Sequence, residues 1–228
     1  MQENTKALVW AAIALVVGLA LGYMLWGGSS SYKMQAATSA TTVNAAASSE
    51  KEIALYSAMR KLWSDHVFWT REYITTFAAG DSEAAGAAAT RLMKNQEDIG
   101  AAVGQFYGAS AGNALTALLK QHISIAVELL SEAKKKDTAK FNDANTRWQR
   151  NADDIATFLS QANPNWPLAT LKEMMAMHLK TTTDEAVAAL GGNYTGSVTA
   201  FDKVFDHIST MSDALSVGII TQFPDKFK

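Results

Sequence analysis

The chain has 228 residues, which is enough for one domain of ordinary size once a targeting segment is set aside. Its formal net charge is −2, from 20 basic and 22 acidic residues, and its longest basic run is Lys134-Lys135-Lys136, which argues against a nucleic-acid partner. It contains no cysteine, which excludes disulfides, thiolate metal ligands and thiol nucleophiles.

The first predicted element is a membrane anchor. Residues 7–26, which include Trp10 and Trp26, contain no charged residue and match the roughly 20 residues that a helix needs to cross hydrocarbon. A cleaved signal peptide is the alternative, but its apolar region usually has about 7–15 residues before a small-residue cleavage site. The flank at residues 1–6 carries Lys6, and we expect a single-pass membrane protein whose following domain is extracytoplasmic.

A tether and a helical domain follow the anchor. Residues 27–48 are rich in Gly, Ser, Ala and Thr and have no sustained apolar period, as is typical of a tether. From Ser49 apolar residues recur at steps of three and four, and breaks fall near Gly80, Gly108, Lys136, Asn163 and Gly191. No segment alternates long enough to be a strand. The sequence predicts an all-α domain of six helices over residues 49–228.

A spacing of 56 residues organises this domain. It separates His66 from His122 and His122 from His178, and it also separates the predicted helix caps Asp81, Asp137 and Asn193. Each unit is long enough for a helical hairpin, two helices joined by a short turn. We therefore predict a six-helix bundle of three hairpin repeats, at about 52–107, 108–163 and 164–219, followed by a tail.

A second set of residues follows the same spacing on the second helix of each hairpin. Arg91, Asn95 and Asp98 in the first unit correspond to Arg147, Asn151 and Asp154 in the second. In the third unit His207, the fourth histidine, stands at the position of Asn151. These residues are candidates for a polar shell around the three evenly spaced histidines.

Four stretches carry a resemblance to a known family: LWSDHVFWTR (62–71), NQEDIG (95–100), LLKQHI (118–123) and GIITQFPDKF (218–227). Over residues 52–228 the chain resembles an uncharacterised family of bacterial all-helical proteins, some of which carry the label acetylglutamate kinase or glycosyltransferase. The resemblance implies the all-α fold. It implies neither activity, because both belong to folds built around parallel sheets with glycine-rich loops, and the sequence predicts neither feature.

The three histidines support two hypotheses. If the hairpins surround a common axis, His66, His122 and His178 converge, and three imidazoles are the first shell of a zinc or copper site with an open position. Asn95, Asn151 and His207 then form a second ring. Alternatively, these groups are buried polar residues that bond to one another and fix the packing. An open, superhelical stack of hairpins would instead spread the histidines along a groove.

Other chemistry has weaker signals. Met174 lies four residues before His178 and Met211 four after His207, a spacing that suits a His/Met copper(I) site but also ordinary core packing. No nucleophile or carboxylate pair is placed as a catalytic mechanism requires, so an enzyme of unknown class is the third hypothesis. We expect a binding or interaction module with a protein or small-ligand partner, and, as the alternative, a non-catalytic zinc or copper domain.

Overall fold

The computed structural model describes residues 49–228, so the predicted anchor at 7–26, with Trp10 and Trp26, and the predicted tether at 27–48 lie outside the described residues. The described part consists of α-helices without a strand, which confirms the predicted all-α class and the helix count there. The helices are α1 (Glu50–Ala79), α2 (Ser82–Tyr107), α3 (Ala109–Lys135), α4 (Thr138–Ala162), α5 (Leu168–Leu190) and α6 (Tyr194–Gln222), followed by a 3₁₀ helix (Pro224–Phe227). Over residues 49–228, every helix is too short or too polar to cross a membrane.

The helix ends fall where the sequence predicts them. Ser49 opens α1 with a capping box, in which its hydroxyl accepts from the Glu52 N–H at 3.2 Å and the Glu52 carboxylate accepts from the Ser49 N–H at 3.0 Å. Helices α2, α4 and α6 each follow an N-cap whose side chain accepts from the backbone N–H three residues later: Asp81, Asp137 and Asn193. Each cap satisfies an N–H group that a helix start leaves without an intrahelical partner.

The helices form a closed ring. Each helix packs against the next one along the chain, and α6 returns to pack against α1. Across this closing contact Arg60 of α1 donates two hydrogen bonds to the Asp213 carboxylate of α6, at 2.7 and 2.6 Å. An open stack would leave the first and the sixth helix apart, so the closed alternative is the observed one.

Each helix turns an apolar stripe towards the interior of the ring. On α1 the stripe contains Met59, Trp63, Val67 and Ile74, at steps of three, four and seven residues, and His66 lies on it as predicted. The stripes of all six helices contribute to one hydrophobic core. This arrangement places the first helix of every hairpin, α1, α3 and α5, around the same interior.

Glycines let α2 and α3 approach each other closely. A Cβ atom added at Gly100 would lie 2.6 Å from the carbonyl oxygen of Gly112, a distance that real Cβ atoms do not reach. The hairpin turn at Gly108, where φ is 88°, follows directly after this crossing. Glycine is therefore required at Gly100 by packing and at Gly108 by backbone conformation.

Candidate functional site

Three histidines meet in the centre of the bundle. His66 of α1, His122 of α3 and His178 of α5 are exposed by only 3%, 3% and 5%. The ring centre of His178 lies 5.6 Å from that of His66 and 6.1 Å from that of His122. The convergence that the even spacing predicts for a closed arrangement is therefore observed.

Tryptophan rings support two of these histidines. The ring centre of Trp63 lies 5.7 Å from that of His66, edge to face, and the ring centre of Trp148 lies 5.2 Å from that of His122. Such aromatic contacts limit rotation of the imidazoles in the apolar interior. The two imidazoles are thus held by packing as well as by hydrogen bonds.

Asn151 fixes the proton of His122. The Asn151 amide nitrogen donates to the Leu118 carbonyl at 3.1 Å, which identifies the amide oxygen as the atom that faces His122 Nδ1 at 2.8 Å. His122 Nδ1 must then carry the proton and donate, which leaves its Nε2 with a free lone pair. That Nε2 is buried and has no hydrogen-bond partner among the described residues.

Gln96 sets the opposite tautomer on His66. Its amide nitrogen donates to the Leu92 carbonyl at 2.8 Å and lies 3.3 Å from His66 Nδ1. His66 therefore accepts at Nδ1 and carries its proton on Nε2. Gln96 is fully buried, and sequence reasoning missed it although it directly follows Asn95.

His178 lacks such a partner. Its Nδ1 is buried and without a hydrogen bond within the described part of the chain. The residue that corresponds to Asn151 in the third hairpin is His207, and its ring donates from Nε2 to the Met174 carbonyl at 2.8 Å. The amide that orients His122 thus has no counterpart beside His178.

Asn95, Asn151 and His207 make the same backbone contact and do not form the predicted second ring. Each donates from its side chain to a carbonyl 33 residues earlier, on the first helix of its own hairpin, at 3.0, 3.1 and 2.8 Å. The acceptors are Leu62, Leu118 and Met174, which are again separated by 56 residues. These three bonds tie the two helices of each hairpin together.

The imidazoles of the cluster are neutral at pH 7. Burial removes the hydration of the charged ring and lowers the pKa of His66 to about 3 and that of His122 to about 4. The pKa of His178 is lowered well below its usual range by burial and by the neighbouring histidines. Neutral rings keep lone pairs available for a ligand.

A cavity of about 30 Å³ lies beside the histidines. This volume is roughly that of one water molecule in the liquid. The lining comes mostly from corresponding positions of the three hairpins: Met59, Leu115 and Leu171; Trp63, Leu119 and Met175; His66, His122 and His178; Val103, Leu159 and Leu215; with Ile155, Met211, Trp166 and Ile219. Met211 of the predicted methionine pair lies here, whereas Met174 is absent from the lining.

The predicted charged shell lies elsewhere. Asp98 pairs with Lys94 at 3.1 Å and with Arg91 at 3.6 Å, Arg147 pairs with Glu128 and Asp143, and Asp154 is exposed. The physical reason is helix geometry, because Ile99 and Ile155 continue the buried stripe from Asn95 and Asn151 and turn the aspartates outwards. The polar groups that contact the cluster are therefore amides and not carboxylates.

A buried ion pair was missed by sequence reasoning. Arg71 of α1 donates to the Glu185 carboxylate of α5 at 2.7 Å, and its guanidinium lies 4.7 Å from the ring centre of Phe201 on α6. Glu185 is only 1% exposed, and burial raises its pKa to about 7 although Arg71 acts in the opposite direction. The pair joins three helices at the end of the bundle opposite the cavity.

The chemistry of the cluster is that of a neutral binding centre. Within residues 49–228, histidine, aspartate and glutamate side chains are nowhere arranged in a group of three or more that holds a metal ion. What the cluster offers is two unpartnered imidazole nitrogens and one ring N–H in an apolar interior. A comparison of the chain with protein-family models, with curated proteins and with solved structures finds no match.

Proposed function

We propose that the chain is a single-pass membrane protein whose residues 49–228 form an extracytoplasmic binding module, with the ligand held at the interior histidine cluster. The observation that carries this proposal is the pair of buried, unpartnered ring nitrogens, His122 Nε2 and His178 Nδ1, beside a cavity. A buried polar atom without a partner costs about 1–3 kcal/mol, so native proteins seldom retain one without a reason. A ligand that accepts these lone pairs supplies the reason.

We also infer that the bundle consists of three hairpin repeats of 56 residues. Three kinds of contact support this inference: the caps at Asp81, Asp137 and Asn193, the cross-helix bonds of Asn95, Asn151 and His207, and the shared cavity positions. Repetition around one axis brings equivalent side chains to one level. A single centre, and not three separate ones, is the result for the histidines.

Mass spectrometry under native conditions tests the binding proposal. The full chain, extracted from membranes in mild detergent without a histidine tag, is expected to carry an added mass that is lost in a His122→Gln/His178→Gln variant. His207→Asn is the matched control, since asparagine makes the equivalent bond at positions 95 and 151. An added mass that persists in the double variant, or a bare chain in every preparation, would contradict an interior ligand.

Cysteine labelling tests the membrane orientation. Because the chain has no cysteine, a single Ser82→Cys substitution at an exposed helix start gives one reactive thiol. A maleimide that does not cross membranes is expected to label it on intact cells, whereas a Gln2→Cys variant is labelled only after lysis. The reverse pattern would place the domain on the other side of the membrane.

The second candidate function is a transition-metal binding domain. The observation in its favour is the convergence of imidazoles at 5.6 and 6.1 Å between ring centres. Zinc is a poor candidate, since structural and catalytic zinc sites use three or four protein ligands and the described residues offer no such group of histidines and carboxylates. A metal that is satisfied with fewer nitrogen ligands fits the cluster better.

A further inference from the structure

We propose that the cluster binds a copper(I) ion between His122 Nε2 and His178 Nδ1, with thioether sulfur from the cavity methionines completing the ligand set. This inference rests on the proposed binding function and names the class of its ligand. It uses the two ring nitrogens that have no hydrogen-bond partner among the described residues and leaves His66, whose Nδ1 accepts from Gln96, as a neighbour.

The spacing of the two rings suits one shared ion. With metal–nitrogen bonds of about 2.0–2.1 Å, two imidazoles on the same ion have ring centres roughly 5 to 6.5 Å apart, depending on the angle at the metal. The centres of His122 and His178 are 6.1 Å apart, and their planes are inclined by only 25°. Small ring rotations are then enough to direct both nitrogens at one point.

The hydrogen bond from His122 to Asn151 is the kind that metal-bound histidines make. The ring nitrogen that does not bind the metal commonly donates to an oxygen acceptor, which fixes the tautomer and the ring orientation. His122 Nδ1 lies 2.8 Å from the Asn151 oxygen, and the amide is itself held by the Leu118 carbonyl. His122 therefore presents Nε2 as a lone pair without further adjustment.

The cavity lining selects a soft ion of low charge. Met59, Met175 and Met211 line the same cavity as the histidines, and thioethers together with imidazoles favour copper(I) over zinc or magnesium. The lining contains no carboxylate, so a divalent ion would keep its full charge in an apolar interior at a large desolvation cost. A monovalent ion pays a smaller cost there.

The residues of the other hairpins supply conservative test variants. Leucine stands at positions 115 and 171, which correspond to Met59, and at position 119, which corresponds to Met175, while isoleucine at position 155 corresponds to Met211. Met59→Leu/Met175→Leu/Met211→Ile thus removes every cavity sulfur with side chains that the bundle already accommodates. His178→Leu removes a nitrogen that has no partner and therefore leaves no other group unpaired.

The experiment is a copper(I) titration of the full chain in mild detergent, under anaerobic and reducing conditions, in competition with bicinchoninate. We expect one copper(I) per chain, loss of binding in His178→Leu, affinity about tenfold or more weaker in the triple methionine variant, and unchanged binding in His207→Asn. X-ray absorption of the copper-loaded protein is expected to show nitrogen and sulfur neighbours. Circular dichroism confirms that each variant remains helical.

Three results would overturn the copper inference: wild type that binds no better than His178→Leu, a triple methionine variant that binds as tightly as wild type, or zinc(II) that displaces copper(I) at equal concentration. The native mass measurement separates this failure from failure of the proposed function. A non-metal mass that depends on His122 and His178 keeps the binding module and rejects copper. A bare chain together with a failed titration rejects both.

Discussion

Acidification from pH 7.5 to pH 5 is expected to destabilise the bundle through its buried histidines. The pKa of His122 is lowered from 6.5 to about 4 in the folded chain, so the unfolded chain takes up a proton first as the pH falls below 6.5. The stability that the neutral ring contributes is present above pH 6.5 and is lost as the pH falls towards the folded value. Over the 1.5 units from 6.5 to 5, at about 1.36 kcal/mol per unit, the loss is about 2 kcal/mol.

Glu185 acts with the opposite sign, so the assay compares variants and not only pH values. Its folded pKa is raised from 4.5 to about 7, and the stability that this provides is present at low pH and lost as the pH rises through 7. Urea unfolding of the full chain in detergent, followed by tryptophan fluorescence, is measured at both pH values for wild type and His122→Gln. Glu185 contributes equally to both proteins, and wild type is expected to lose about 2 kcal/mol more. Equal losses would refute the reasoning that His122 is buried and neutral.

Three further substitutions test the packing, each by urea or thermal unfolding. Asn151→Ala is expected to cost about 3 kcal/mol, because it leaves a carbonyl and an imidazole N–H unpaired in the interior; a cost below about 1 kcal/mol would contradict the network. Arg71→Met is expected to cost about 3–5 kcal/mol at pH 8, since it strands the Glu185 carboxylate, and the double variant with Glu185→Leu should recover most of it. Gly100→Ala is expected to cost about 1–3 kcal/mol by overpacking, whereas Gly86→Ala, which meets nothing within 4 Å, should stabilise α2 by about 0.5–1 kcal/mol.

The sequence predicted the helices and the meeting of the histidines because both depend on local or repeated signals. Asp81, Asp137 and Asn193 are visible as caps from composition and spacing alone. His66 and His178 lie on apolar stripes at equivalent points of two first helices, so a closed packing was enough to bring them together. The choice between a closed ring and an open stack depended on the contact between α1 and α6, which no local pattern reveals.

The groups that were missed occur once and pair over long distances. Arg71 and Glu185 are 114 residues apart, and neither position carries the same charge in the other two hairpins. Gln96 corresponds to Ala152 and Ile208, so the repeat gave no reason to select it. The aspartates Asp98 and Asp154 were overvalued for the reverse reason, since recurrence marks shared descent or solubility as readily as a position in the interior.

The closure of the ring by α6 has a consequence for the order of folding. Arg60 and Asp213, which join α6 to α1, are 153 residues apart, whereas the bonds within each hairpin span 33 residues. Contacts between distant residues require a larger loss of chain entropy and form more slowly than local ones. The hairpins are therefore expected to form early and the ring to close late. Until α6 docks, the apolar stripes of α1 and α5 stay open to water, and such partly folded chains are the ones that aggregate or recruit chaperones.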